Sequence, residues 1–233
     1  MIYLWLWIVP NYQCSNNMEL LNYLTKPFDP MQTDNNSNKT LLEDLLAKAS
    51  KQWGVAPEEI QKAMDKIAFH ESKGVVDAIQ KSDKNKTGIG PGRGLFQFEK
   101  TEGGSGAFQT ALNRLENVHK KHIKGEGGVP SWIEKAKSHD DATKLSREQQ
   151  EELLLADLAM KSGSDKYINE ALSTGSAKNL WLNKHWAGAE QGSEGYIKKG
   201  KQWEREMETY KAQFKDNSAE EIVGLIAQGK PIG

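Results

Sequence analysis

The sequence predicts a mainly α-helical protein with at most a small β-hairpin region, and three observations carry that expectation. Apolar residues recur at helical spacing through most of residues 40–216, as in Phe108, Ala111, Leu112, Leu115, Val118 and Ile123. Capping-box pairs mark helix starts at Thr40 with Glu43, Ser146 with Gln149 and Ser218 with Glu221. No segment alternates apolar and polar residues for more than about five positions, the best being Leu95 to Phe98.

The elements follow in chain order. Residues 2–9 form an apolar run ended by Pro10, too short to span a bilayer. No basic residue precedes the run and no small-residue cleavage site follows it, so neither an export signal nor stable membrane insertion is expected, and Met18 stands as an alternative start. Residues 26–39, rich in Pro, Asn and Asp, read as a linker, which makes 1–39 an N-terminal extension. Thr40 opens a helix running to about Gln52, and Pro57-Glu58-Glu59 suits the first turn of the next, which Gly74 ends. Residues 82–94 form the main irregular segment, with glycine at 88, 90, 92 and 94 for close backbone approach. Short helices are expected around Trp132–Ala136 and Tyr167–Leu172. The helix opened by Ser146 is apolar nearly all round from Leu153 to Met160, as a helix in the middle of a core would be. Tyr196, Gly200, Trp203, Met207, Tyr210 and Phe214 make a narrow seam facing the domain body or a partner helix. Residues 217–233 read as a short helical appendage, leaving 40–216 as one domain.

Composition narrows the function. The 233 residues carry 31 Lys plus Arg against 32 Asp plus Glu, a formal charge of -1, which argues against a nucleic-acid coat protein. The local basic clusters, His119 to Lys124 and Lys198 to Lys201, read as solvated helix faces. Cys14 is the single cysteine, so no intramolecular disulfide is possible.

Several chemistries fail on spacing. A zinc-protease helix starting at His70-Glu71 needs histidine at position 74, which is Gly74. The glycine-rich segment has neither the Gly-Lys-Ser/Thr ending of a phosphate loop nor the dinucleotide pattern. Gly103-Gly104-Ser105-Gly106-Ala107 misses the serine-hydrolase elbow at its last position. His119 and His122 with Glu116 read as ordinary surface residues, so no metal and no cofactor is expected.

What stands is Glu71. Ile60, Met64, Ile67 and Glu71 fall at i, i+4, i+7 and i+11, so the carboxylate shares the apolar face of its helix. A carboxyl pushed toward apolar surroundings finds a partner, such as Lys66 or Lys73, or raises its pKa until it holds a proton near neutrality. A proton-holding carboxyl is what a glycosidic bond needs as its oxygen departs.

His70-Glu71-Ser72 followed by Gly94-Leu95-Phe96-Gln97-Phe98 resembles the goose-type lysozyme and soluble lytic transglycosylase family over roughly residues 55–215. In that family a Glu-Ser closes a helix and a Gly-Leu-Met-Gln segment lines the sugar cleft. Phe96 stands where the family has Met, the stretch from Glu71 to Gly94 is several residues longer, and His185-Trp186-Ala187-Gly188 matches only the second half of a late Tyr-Asn-Ala-Gly segment. The resemblance implies a lysozyme-like domain, Glu71 as catalytic acid, and Ser72, Gly94, Leu95, Phe96, Gln97, His185 and Trp186 as substrate contacts. It implies a peptidoglycan glycan strand as substrate, cut by a lytic transglycosylase in which Glu71 acts first as acid and then as base; Asp77 and Glu99, near the key segments in sequence, are available to orient a water if the product is hydrolytic. Lacking an export signal, such an enzyme is expected in a phage virion, beside other virion proteins, or in the host cytoplasm before release. The alternatives are a hydrolytic lysozyme of the same fold and a non-catalytic virion protein that is structural or binds glycan.

Overall fold

The structure, a computed structural model, describes residues 40–82, 86–100, 106–122, 129–161, 164–186 and 190–213. The extension at 1–39, the Gly103-Gly104-Ser105 turn, Ile123, Ala187-Gly188, Phe214 and the appendage at 217–233 lie outside the described residues. The protein is mainly α-helical with a small three-stranded antiparallel sheet.

Helix α1, Leu41–Trp53, opens on the expected capping box, with Thr40 Oγ1 accepting from the Glu43 amide and Glu43 Oε2 accepting from the Thr40 amide at 2.9 Å. Helix α2, Pro57–Ser72, starts with proline, which lacks the amide proton the first turn cannot use. Its Ile60, Met64 and Ile67 are buried, as their spacing requires. The helix stops one residue before the expected Gly74: Lys73 is itself left-handed at φ 58 and Gly74 follows at φ 79.

The sheet comprises β1 (Ile79–Lys81), β2 (Ile89–Arg93) and β3 (Phe98–Glu99), ordered β1-β2-β3. Two sequence expectations are corrected here. Part of the segment expected to be irregular is strand β2, whose glycines serve close packing: a Cβ on Gly90 would meet Gln80 Oε1 at 2.4 Å, and one on Gly92 would meet Gln97 Oε1 at 2.7 Å. The expected strand Leu95 to Phe98 is a tight turn as far as Gln97, because Gly94 (φ 77) and Gln97 (φ 50) are both left-handed.

Helices α3 (Ala107–His122), α4 (Ser131–His139), α5 (Arg147–Met160), α6 (Ser164–Thr174), α7 (Lys178–Leu180) and α8 (Glu194–Gln213) complete the described elements, with a 3₁₀ turn over Ala142–Lys144. Helix α5 is the central one. It opens on the Ser146–Gln149 capping box, every residue from Gln150 to Ala159 is buried, and α1, α3 and α6 pack on it. Its buried acids follow the rule that a charge in a core is paired or neutralised. Glu151 meets Arg147 at 2.7 Å and Asp157 meets Lys161 at 2.5 Å, whereas burial lifts the Glu152 carboxyl to about 8.

Helix α8 lies against α2 and α7. Trp203 and Met207 are buried and Tyr196 and Tyr210 pack on the core, so the seam closes on its own domain rather than standing open to a partner. Among the described residues, no helix is long and apolar enough to cross a membrane.

Candidate active site

Three pieces of chain meet at Glu71: the end of α2, the turn at residues 94–97, and the segment after α7. The turn is tied down first. Gln150 of α5, fully buried, accepts the Leu95 amide proton at 2.6 Å and donates to the carbonyls of Val76 and Leu145 at 3.0 and 3.2 Å. A Cβ on Gly94 would meet Gln150 Oε1 at 2.2 Å, so glycine is needed here for space as well as for its φ. The Ser72 hydroxyl lies 2.8 Å from the Leu95 carbonyl and 3.0 Å from that of Ala68, joining the end of α2 to the same turn.

The third piece is a π-helical turn over Trp181–His185, closed by the Trp186 amide donating to the Trp181 carbonyl at 2.7 Å. A π turn places residues i and i+5 one above the other. Trp181 and Trp186 accordingly stack, with centroids 5.7 Å apart and planes 18° from parallel. His70 packs edge-on against Trp181 at 4.1 Å, which fixes the indole from the α2 side.

Together these elements line a cleft of about 400 Å³ that holds Glu71, Ser72, Gln97, Trp181, Trp186 and Lys199. The Glu71 side chain is 16 % exposed, so the carboxyl is mostly dry yet open to the cleft. Burial pushes its pKa up to about 7; a hydrogen bond from Trp181 Nε1 and the charge of Lys199 pull against this, Glu206 adds to it, and Lys73 opposes it. No lysine is ion-paired with it among the described residues. Lys66 instead donates to the Gly175 carbonyl and Lys73 pairs with Glu206. Glu206 is held down at about 2: burial works against ionisation, but the His70 ring 3.3 Å away and hydrogen bonds from Lys73 and Gln202 outweigh it. An indole N–H can only donate, so Trp181 occupies a lone pair of Glu71 Oε1 and leaves Oε2 to carry the acid proton.

The expected site residues divide. Glu71, Ser72, Gln97 and Trp186 line the cleft. Leu95 and Phe96 do not: both side chains are fully buried, because the left-handed residues on either side of them turn them into the core. Gly94 holds the turn rather than a sugar. His185 is also corrected. Its side chain is 7 % exposed, and burial lowers its pKa to about 4, so the ring is neutral near pH 7. Nε2 stands 2.7 Å from the Phe96 carbonyl and must donate to it, since a carbonyl only accepts. At 3.9 Å it lies too far from Glu71 for a hydrogen bond. His185 therefore clips the π turn to the residue 94–97 turn. Asp77 and Glu99 are not among the residues lining the cleft, so neither is placed to orient a water there.

Sequence reasoning passed over Trp181, Gln150 and Lys199. The Trp181–Trp186 pair, five apart, is the signal that could have revealed a π turn. Lys199 was read as part of a solvated face, yet its Nζ lies 5.8 Å from the Trp186 ring centroid.

A larger hollow of about 520 Å³ lies between α8 and the turn from α6 to α7. Its acids are matched on its own rim, Glu204 to Lys178 and Glu208 to Lys211. The carboxyl that burial raises to about 7 lies instead in the cleft at Glu71. In comparisons with known proteins, no family model, no curated protein and no solved structure matches the chain.

Proposed function

We propose that this protein is a peptidoglycan-cleaving muramidase, a lytic transglycosylase that cuts the β-1,4 bond from N-acetylmuramic acid to N-acetylglucosamine. The observation that carries the proposal is one carboxyl, Glu71, held near neutrality on the floor of an open cleft beside Gln97 and a tryptophan face. Protonated Glu71 gives its Oε2 proton to the bridging oxygen as the C1–O bond breaks. The positive charge that develops at C1 is met by the substrate's own acetamido oxygen. Ionised Glu71 then removes the proton of the muramic 6-hydroxyl, whose oxygen attacks C1, closes the 1,6-anhydro ring and leaves Glu71 protonated again. A pKa near 7 suits a group that is acid in one step and base in the next.

Among the described residues lining the cleft, Glu71 is the single carboxylate, which favours this route over one needing a second acid to activate water. Trp186 offers a sugar an apolar face, and Gln97, whose Nε2 is already given to the Gly94 carbonyl at 2.7 Å, is fixed rather than swinging. The wall is reached from a phage virion or from the host cytoplasm. Glu71→Gln keeps the shape and the bond from Trp181 but has no proton to give. It is expected to clear cell walls about a thousandfold more slowly than wild type, whereas unchanged clearing would remove Glu71 from the chemistry.

A further inference from the structure

The π turn that carries Trp181 and Trp186 is also anchored from the central helix. The last turn of any helix leaves carbonyls with no amide of their own, and these need other donors. The Lys184 carbonyl, inside the π turn, is met by Lys161 Nζ at 2.5 Å. Lys161 stands at the end of α5, and its ammonium is not free to swing, because Asp157 one turn back holds it at 2.5 Å through Oδ2. Asp157 is held in turn, through Oδ1, by Arg114 of α3. The Asp157 side chain is 5 % exposed, so these charge-assisted bonds lie mostly out of water, where they are stronger and more directional than on a surface. The chain Arg114–Asp157–Lys161 therefore ties α3 and α5 to the backbone of the turn. The same cluster bears on the clip between His185 and Phe96: burial does most to keep the His185 ring neutral, and the charge of Lys161 adds to it.

We propose that Lys161 is a positioning residue for the acid: by holding the Lys184 carbonyl it sets where the π turn lies, and so keeps the Trp181 N–H on Glu71 Oε1. Lys161 is not among the residues lining the cleft, so it acts only through the turn. Its meaning for catalysis rests on the cleavage reading above. A turn released from Lys161 weakens the bond from Trp181 to Glu71, and a carboxylate that loses a donor keeps its proton to higher pH. The other charges that act on Glu71 do not change with Lys161: Lys199 and Glu206 lie on α8, and Lys73 follows α2. His185, 3.9 Å from Glu71, stays neutral near pH 7 because burial dominates its titration. The sign of the effect is thereby fixed as upward.

The test reads the titration midpoint of Glu71 in the whole protein in two ways. One is the carbon-13 shift of its side-chain carboxyl, assigned with Glu71→Gln and needing no substrate; the other is the alkaline limb of the wall-clearing rate. Lys161→Met keeps the length of the side chain and drops the donor. It should raise both midpoints by about half a pH unit, less than loss of the whole indole bond would give. Lys161→Arg supplies donor and charge again and should recover most of that shift. Arg114→Gln loosens Asp157 but leaves Lys161 on the turn, so it should lower the melting temperature while moving the midpoint by less than about 0.2 unit. Lys161→Gln, shorter and uncharged, is read in the same way as Lys161→Met should the latter not fold. A midpoint that stays in place or falls without Lys161, or that rises as far in Arg114→Gln, would overturn the positioning role and leave Lys161 a stabiliser of the fold. The expected carbon-13 shifts in a protein that clears no wall at any pH would support the positioning and overturn the cleavage reading instead.

Discussion

Replacing Trp181 by phenylalanine isolates one hydrogen bond to the acid. The indole N–H donates to Glu71 Oε1 and favours the ionised carboxylate, so its loss must raise a pKa that already stands at about 7. A hydrogen bond to a charged group contributes about 1.5–3 kcal/mol, and each pH unit corresponds to about 1.4 kcal/mol. The Glu71 side chain is 16 % exposed, so water can partly replace the lost donor and the lower half of that range applies. The alkaline limb of the pH–rate profile should therefore move from about 7 to about 8. The assay is the rate of wall clearing from pH 4 to pH 10, each variant normalised to its own maximum, with circular dichroism confirming the fold. Normalisation matters because a smaller ring in the core lowers stability without moving a midpoint. A limb that stays in place, or moves to lower pH, would refute the assignment of Trp181 as the donor that holds the acid.

Other substitutions test other links. Because the folded pKa of Glu71 lies above its ordinary 4.5, folding stability is lost as pH rises from 4.5 through about 7. Glu71→Gln should melt like wild type near pH 4 and exceed it at pH 8 by up to about 3 kcal/mol; equal melting at pH 8 would mean the carboxyl ionises without penalty. Gly94→Ala places a methyl 2.2 Å from Gln150 Oε1 on a left-handed backbone, and should lower stability by about 3 kcal/mol in denaturant titrations. His185→Leu leaves the Phe96 carbonyl without its donor, and should reduce stability by about 1–3 kcal/mol while KM for soluble glycan stays within about twofold. A large rise in KM at full stability would restore His185 as a sugar contact.

How much could be read in advance depended on whether a feature was local. Capping boxes at Thr40 and Ser146, the proline opening α2 and the apolar circumference of α5 act within a few residues, and each was legible. Glu71 and Gln97 were legible because one shares an apolar helix face and the other follows a glycine turn. Strand β2 was not, because Gly90, Pro91 and Gly92 look like a turn until the glutamine side chains that cover the glycines come from Gln80 and Gln97. The same holds for Gln150, whose three bonds reach residues as far as 74 positions away in sequence. Trp181 finds Glu71 across 110 positions, and His185 finds Phe96 across 89. Leu95 and Phe96 were misread for a related reason: Gln97 beside them faces the cleft, but the left-handed backbone at Gly94 and Gln97 turns their own side chains inward.

The most direct measurement is mass analysis of the fragments released from purified peptidoglycan by wild type and by Glu71→Gln. The expected result is muramic residues ending in 1,6-anhydro rings, 18 mass units lighter than reducing ends as one lost water requires, with about a thousandfold less product from the variant. Intact glycan from the wild-type protein, or the same fragments at the same rate from both, would contradict cleavage by Glu71.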